Sequence, residues 1–196
     1  MSGPRSLRLS AAIAARRVHL REPHIAPLTD FVIGLRGTHP TWEFPDFDPL
    51  DGGVTANILF LFEKPGPMTS AEGKGSGFIS RDNDDPSAEA TFRFMRQVQL
   101  PREMTVSWNV VPGWNGVRKV TAAELREGMG HIADLLRLLP LLHTAVLVGR
   151  KAQRALPLIE PLGLRVLMSA HPSPIVRATR PDVWREIPVQ WAQALL

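Results

Sequence analysis

Residues 57–66 read NILFLFEKPG, and the apolar run at their start decides the fold. From Ile58 to Phe62 no polar side chain alternates with the apolar ones, so neither face of the segment suits water. That is the pattern of a strand buried on both faces of a parallel sheet. Two further runs repeat it, Thr144–Val148 (TAVLV) and Leu164–Met168 (LRVLM), and Thr105–Val111 (TVSWNVV) is a fourth β-prone segment. Between them the period changes to that of helices. Asp85-Pro86 supplies an N-cap and a first-turn proline ahead of Ser87–Val98. Thr121 and Glu124 form a capping box ahead of Ala122–Leu139, weakened by Gly128 and Gly130. Arg150–Ile159 and Pro181–Leu195 complete the series, with Pro157 and Pro188 expected to shorten or kink them. Alternation of this kind predicts right-handed crossovers and a three-layer α/β/α architecture around a central, mainly parallel sheet of about four strands. Upstream, residues 5–21 read as a basic amphipathic helix, Pro27–Gly37 as a second helix, and His39–Gly53 as an irregular connection.

A chain of 196 residues suits one core, so residues 1–196 are expected to form a single domain with residues 1–50 as its N-terminal extension. No apolar run approaches the ~18 residues that cross a bilayer, and the Arg-rich start lacks the apolar stretch of a secretory signal. A soluble, cytoplasmic protein without a membrane partner, most simply a monomer, is expected. The sequence contains no cysteine, which excludes disulfides, thiolate metal sites, cysteine nucleophiles and iron–sulfur clusters together. The six histidines form no short ligand-spaced pair. Neither a metal nor another cofactor is called for.

In such sheets ligands bind beyond the carboxyl ends of the strands. The rule selects the segments after each run: 63–80, 109–116, 149–151 and 169–179. The first is longer than a connecting loop needs to be, and Gly66, Gly73, Gly75 and Gly77 let it approach a ligand closely or remain a surface insertion. From Arg150 to Arg180 the chain carries Arg150, Lys151, Arg154, Arg165, Arg177 and Arg180 against Glu160 alone. Arginine forks grip phosphates, so this stretch suits a polyanion, or is simply a solvated basic face.

Within these segments, His171-Pro172-Ser173-Pro174 resembles the HPSP motif of uracil-DNA glycosylases. Phe62-Glu63-Lys64-Pro65-Gly66 is similar to the first motif of that superfamily, written GQDPY, GINPG or GEAPG in its branches. Gly77-Phe78 and Trp108-Asn109 fall where the family has its uracil-stacking aromatic and its uracil-reading asparagine. The chain departs from the pattern at Phe62, in place of a glycine, at Lys64, in place of Asp, Asn or Ala, and at Gly66, in place of the tyrosine of one branch. Glu63 matches the glutamate of GEAPG, whose branch holds its cluster through cysteines absent here. The resemblance is to a divergent, cluster-free member.

The resemblance implies a DNA repair glycosylase acting on uracil flipped out of single- or double-stranded DNA, leaving an abasic site and free uracil. Phe78 would stack on the base, the Asn109 amide would read its N3–H and O4, and Lys64, Pro65 and Gly66 would lie beside it. His171 would stabilise charge growing on uracil O2, and Glu63 would orient water, or else only cap backbone amides. Ile175 or Val176 would wedge the duplex open. Lys151 and the backbone around Pro65-Gly66 and around Ser173 and Pro174 would hold phosphates, and Arg177 would contact a phosphate or the orphan base. Lys64 itself is expected to face phosphate or an acid of residues 82–85. Two other readings stand beside this one: a protein of the same fold that binds uracil or abasic DNA without turnover, and an unrelated doubly wound hydrolase.

Overall fold

The apolar runs pair side by side because each can be buried only by a neighbour on either edge and a helix on either face. In the computed structural model, which describes residues 3–196, the chain forms six strands and eight α-helices among those residues, joined by short 3-10 turns. The strands are β1 (Asp46–Phe47), β2 (Ile58–Phe62), β3 (Phe78–Ile79), β4 (Thr105–Asn109), β5 (Thr144–Val148) and β6 (Arg165–Ser169). The helices are α1 (Ser10–Arg17), α2 (Ala26–Thr38), α3 (Pro86–Gln97), α4 (Ala122–Gly130), α5 (Ile132–Arg137), α6 (Leu156–Ile159), α7 (Pro174–Thr179) and α8 (Pro181–Ala192).

The main sheet runs β4-β2-β5-β6, parallel throughout. Its register sets Phe62 beside Asn109 and Val148 beside Ser169, so the carboxyl ends of the strands lie level. Alternate residues go to opposite faces. Leu59 and Leu61 of β2, with Ala145 and Leu147 of β5, join the core under α2, α4 and α5. Ile58 and Phe60, with Val146 and Val148, join the core under α3 and α8. Crossovers of one hand explain the division: the step from β2 to β4 runs one way along the sheet and its helix lies on one face, whereas the later steps run the other way and use the other face. The connections therefore part at the end of β2, where a crevice opens.

The structure refines the expected elements. The N-terminal helix is confined to Ser10–Arg17. The helix expected over 122–139 breaks at His131 into α4 and α5, while its capping box is present at both bonds. Prolines 157 and 161 reduce the segment after β5 to short turns around α6. The stretches 39–53 and 63–80, expected to be irregular, contain β1 and β3, which pair with each other in parallel through Asp46–Phe78 and Phe47–Ile79.

The small sheet is held by buried charge. Arg16 of α1 pairs with Asp48 and with Asp82, the latter at 3.1 Å. Arg102 reaches Asp48, Asp51 and Asp82, and Arg81 lies 3.5 Å from Asp51. All three carboxylates are almost fully buried. Three cations and three anions cancel, which is the condition under which buried charges are tolerated. Burial pushes Asp51 up to about 6, with Arg102 and Arg81 opposing it and the neighbouring Asp48 and Asp82 adding to it.

Candidate active site

The crevice at the end of β2 is a cleft of about 410 Å³. That volume is ordinary for a site that binds a small molecule or a single base. Phe62 closes β2 and lines it, with its ring edge-on to His171 at 6.0 Å between centroids. Asn109 closes β4 and lines it from the next strand, and Ser107, two residues earlier on the same face, lines it deeper. His171 arrives after β6 through a tight turn in which the Ser173 N–H donates to the His171 carbonyl at 2.8 Å. Ser173 then caps α7, accepting from the Val176 N–H at 3.3 Å. The long connection after β2 supplies Pro65, Gly66, Ile79, Ser80, Asn83 and Asp85.

Asn109 is only 4% exposed as a residue; its side-chain amide makes no hydrogen bond within the described residues and keeps access to the cleft. Its donor and its acceptor are therefore both free for a ligand in the cleft. Burial pulls the His171 imidazole below its usual value, with the charges of Glu63 and Asp85 opposing. The shift favours the neutral imidazole at pH 7.

Several residues stand elsewhere than expected. Phe78 is fully buried and does not line the cleft; in β3 adjacent side chains point to opposite sides, and it is Ile79 that faces in. Phe62, the departure from the glycine of the first motif, is the aromatic wall instead. Glu63 is not among the lining residues. Its carboxylate accepts the Lys151 N–H at 3.0 Å and lies against Gly149, whose φ of +91° and lack of a Cβ make room for it. It caps the turn after β5.

Lys64 lines the cleft with its stem, but its ammonium turns away. It is held by Glu124 and Asn115, each at 2.9 Å, and by the Lys119 carbonyl, over the face of Trp42. The acids of residues 82–85 are not its partner, because the capping-box carboxylate of α4 reaches it first. Asp82 is fully buried and ion-paired to Arg16 and Arg102. At Gly66 the backbone is extended, and the nearest atom to a side chain there would be an Arg118 guanidinium nitrogen at 4.0 Å. The cleft is therefore open where a tyrosine stands in one branch of relatives.

Beyond the cleft, Pro174 lines its edge and Ile175 projects from the first turn of α7, 73% exposed. Val176, one position on, is buried and packs inward, which removes it as a wedge. Arg177 lies over the Trp184 ring at 6.0 Å. Lys151 offers only its side chain, since its N–H is taken by Glu63. Arg118, Arg150, Arg177 and Arg180 are exposed. Arg118, Ser107 and Asn83 carried no sequence signal, because only the folded chain brings their segments to the cleft.

Among the described residues, one group of side chains could hold a metal ion. His39, Glu127 and His131 place donor atoms within 4.8 Å of one another, and His39 Nε2 is 2.7 Å from Glu127 Oε1. None of the three lines the cleft. Sequence spacing missed them because His39, just past α2, and His131, just past α4, are far apart in the chain and meet only in the fold.

A sequence model of the family described as "Uracil DNA glycosylase superfamily" matches residues 50–191, more than half of the chain and all four strands of the main sheet. A comparison with curated proteins gives no match.

Proposed function

The chain belongs to the uracil DNA glycosylase superfamily, and from that premise we propose that it hydrolyses the N-glycosidic bond of uracil flipped out of DNA. The observation that carries the reading is the Asn109 amide, unengaged by the described residues and facing the same cleft as His171, whose burial favours the neutral imidazole. Uracil offers that amide one donor, N3–H, and one acceptor, O4. Cytosine offers a donor at position 4 and no proton at N3, so its edge mismatches. As the bond to the sugar breaks, negative charge grows on uracil O2, and a neutral imidazole can donate to it. The aromatic face of Phe62 and the side chain of Ile79 supply the apolar walls.

Around the cleft, exposed Arg118, Arg150, Arg177 and Arg180 suit contacts to phosphates, and Ile175 suits the gap left by an extruded base. No helix among the described residues is long and apolar enough to cross a membrane.

A second reading, recognition of uracil or abasic DNA without turnover, is favoured by one observation: the glutamate of the first motif is directed at the Lys151 amide and not into the cleft. A single-turnover assay separates the two. The enzyme is mixed in excess with a uracil-containing oligonucleotide, and abasic sites are cleaved with alkali. Cleavage at the uracil position is expected. Retention of the oligonucleotide without cleavage would establish the second reading, and neither binding nor cleavage would overturn both.

A further inference from the structure

We propose that Asp85 is the catalytic carboxylate of this cleft, an inference that rests on the glycosylase reading above. An anion near the sugar would serve such a glycosylase twice, by orienting water and by offsetting the positive charge that develops at C1′. The first motif does not place it in the cleft here, since Glu63, one oxygen of which accepts the Lys151 amide, is not among the lining residues. Asp48, Asp51 and Asp82 are paired to arginines in the buried cluster. Glu124 is bound to Lys64, and Asp84 to Arg5. Among the described residues Asp85 is the only carboxylate that lines the cleft.

Its geometry suits the task. As N-cap of α3, Asp85 accepts the N–H groups of Ser87 and Ala88, both at 2.9 Å and both on Oδ1. That leaves Oδ2 with no protein partner among the described residues. A cap needs one oxygen, and serine or asparagine would serve as well. Two amides fix the side chain, so the second oxygen is held in place before substrate arrives, as a catalytic group should be. Asp85, after Glu63, is also one of the two charges that act on His171, which sets it within electrostatic reach of the group facing the base.

In the step assigned to it, the C1′–N1 bond breaks and its electron pair leaves with the uracil ring. The oxygen of one water molecule bonds to C1′. One proton of that water passes to Asp85 Oδ2 and then, through solvent, to the uracil anion. Atoms and charge balance as water plus deoxyuridine giving an abasic sugar and free uracil.

The test is Asp85→Asn in the single-turnover assay at saturating DNA. Asparagine keeps an oxygen for the Ser87 and Ala88 amides and removes the charge. The expected result is a rate lower by roughly 10²–10⁴, with DNA affinity and thermal midpoint close to wild type. Asp85→Ser, which also caps, should show the same loss and guards against a folding defect in the first variant. An active wild type with an equally active Asp85→Asn would overturn this assignment alone and leave Asp85 as a cap. A larger rate loss in Glu63→Gln than in Asp85→Asn would also overturn it, in favour of the first motif. A wild type that releases no uracil would overturn the glycosylase reading, and this inference with it.

Discussion

Lys64 follows a strand that ends at the cleft, yet its ammonium is spent inside the protein, on Glu124 and Asn115. The pair is almost closed to solvent, with side-chain exposures of 3% and 10%. Lys64→Met should therefore destabilise the fold by about 3 kcal/mol, read from the denaturant midpoint, because it strands a buried carboxylate. The salt dependence of DNA binding should be unaltered by it. A normal midpoint with a shallower salt slope would return Lys64 to the phosphates. At Asn109 the expectation is chemical: Asn109→Asp replaces a donor by an acceptor and should abolish uracil excision, and the assay on a cytosine-containing strand reads any gain there. His171 sets a pH dependence. Burial holds its folded value below the unfolded one of about 6.5, so its contribution to stability is complete above that pH and is lost as pH falls below it. His171→Gln should flatten the fall of the urea midpoint between pH 7.5 and 5.5. A slope unchanged by the substitution would show that the imidazole is solvated.

Among the elements, α7 converts a motif into a surface. Ser173 caps it, Pro174 opens it, and adjacent side chains diverge so that Ile175 meets solvent while Val176 anchors the helix. Ile175→Ala should slow excision from duplex DNA roughly tenfold and leave single-stranded substrate little affected, since only the duplex must be unstacked. Equal losses on both substrates would rule out a wedge. The strands were legible because continuous apolar runs have few other uses. Helix α4 was legible at its start, where Thr121 and Glu124 announce a cap, and less so at its end. Gly128, which looked like a weakness, lets α4 approach the chain just beyond β4: a Cβ there would lie 2.0 Å from the Val110 carbonyl oxygen. β1 and β3 could not be read, because two-residue strands have no period and form only through each other.

At the scale of the molecule, the N-terminal segment belongs to the scaffold of the cleft. Arg16 reaches from α1 into the cluster that fixes Asp48 and Asp82, and Ser80, which lines the cleft, hydrogen-bonds to the same Asp48. Arg16→Met should cost about 3–5 kcal/mol of stability, measured by urea denaturation, since it leaves buried acids short of a cation. A cost within experimental error would show that α1 is a dispensable cover. The sequence by itself determined the parallel α/β architecture, the strand ends at which a site would form, and the resemblance borne by His171, Asn109 and the 62–66 motif. Those properties are local, carried by apolar runs, caps and short motifs. Only the tertiary structure decided which side chains face the cleft. It turned Glu63 to the Lys151 amide, Lys64 to Glu124 and Phe78 into the interior, and brought Phe62, Ile79 and Asp85 to the opening. The direction of a side chain at a strand end depends on which partner from a distant segment satisfies it first, and that competition is settled only when the whole chain has packed.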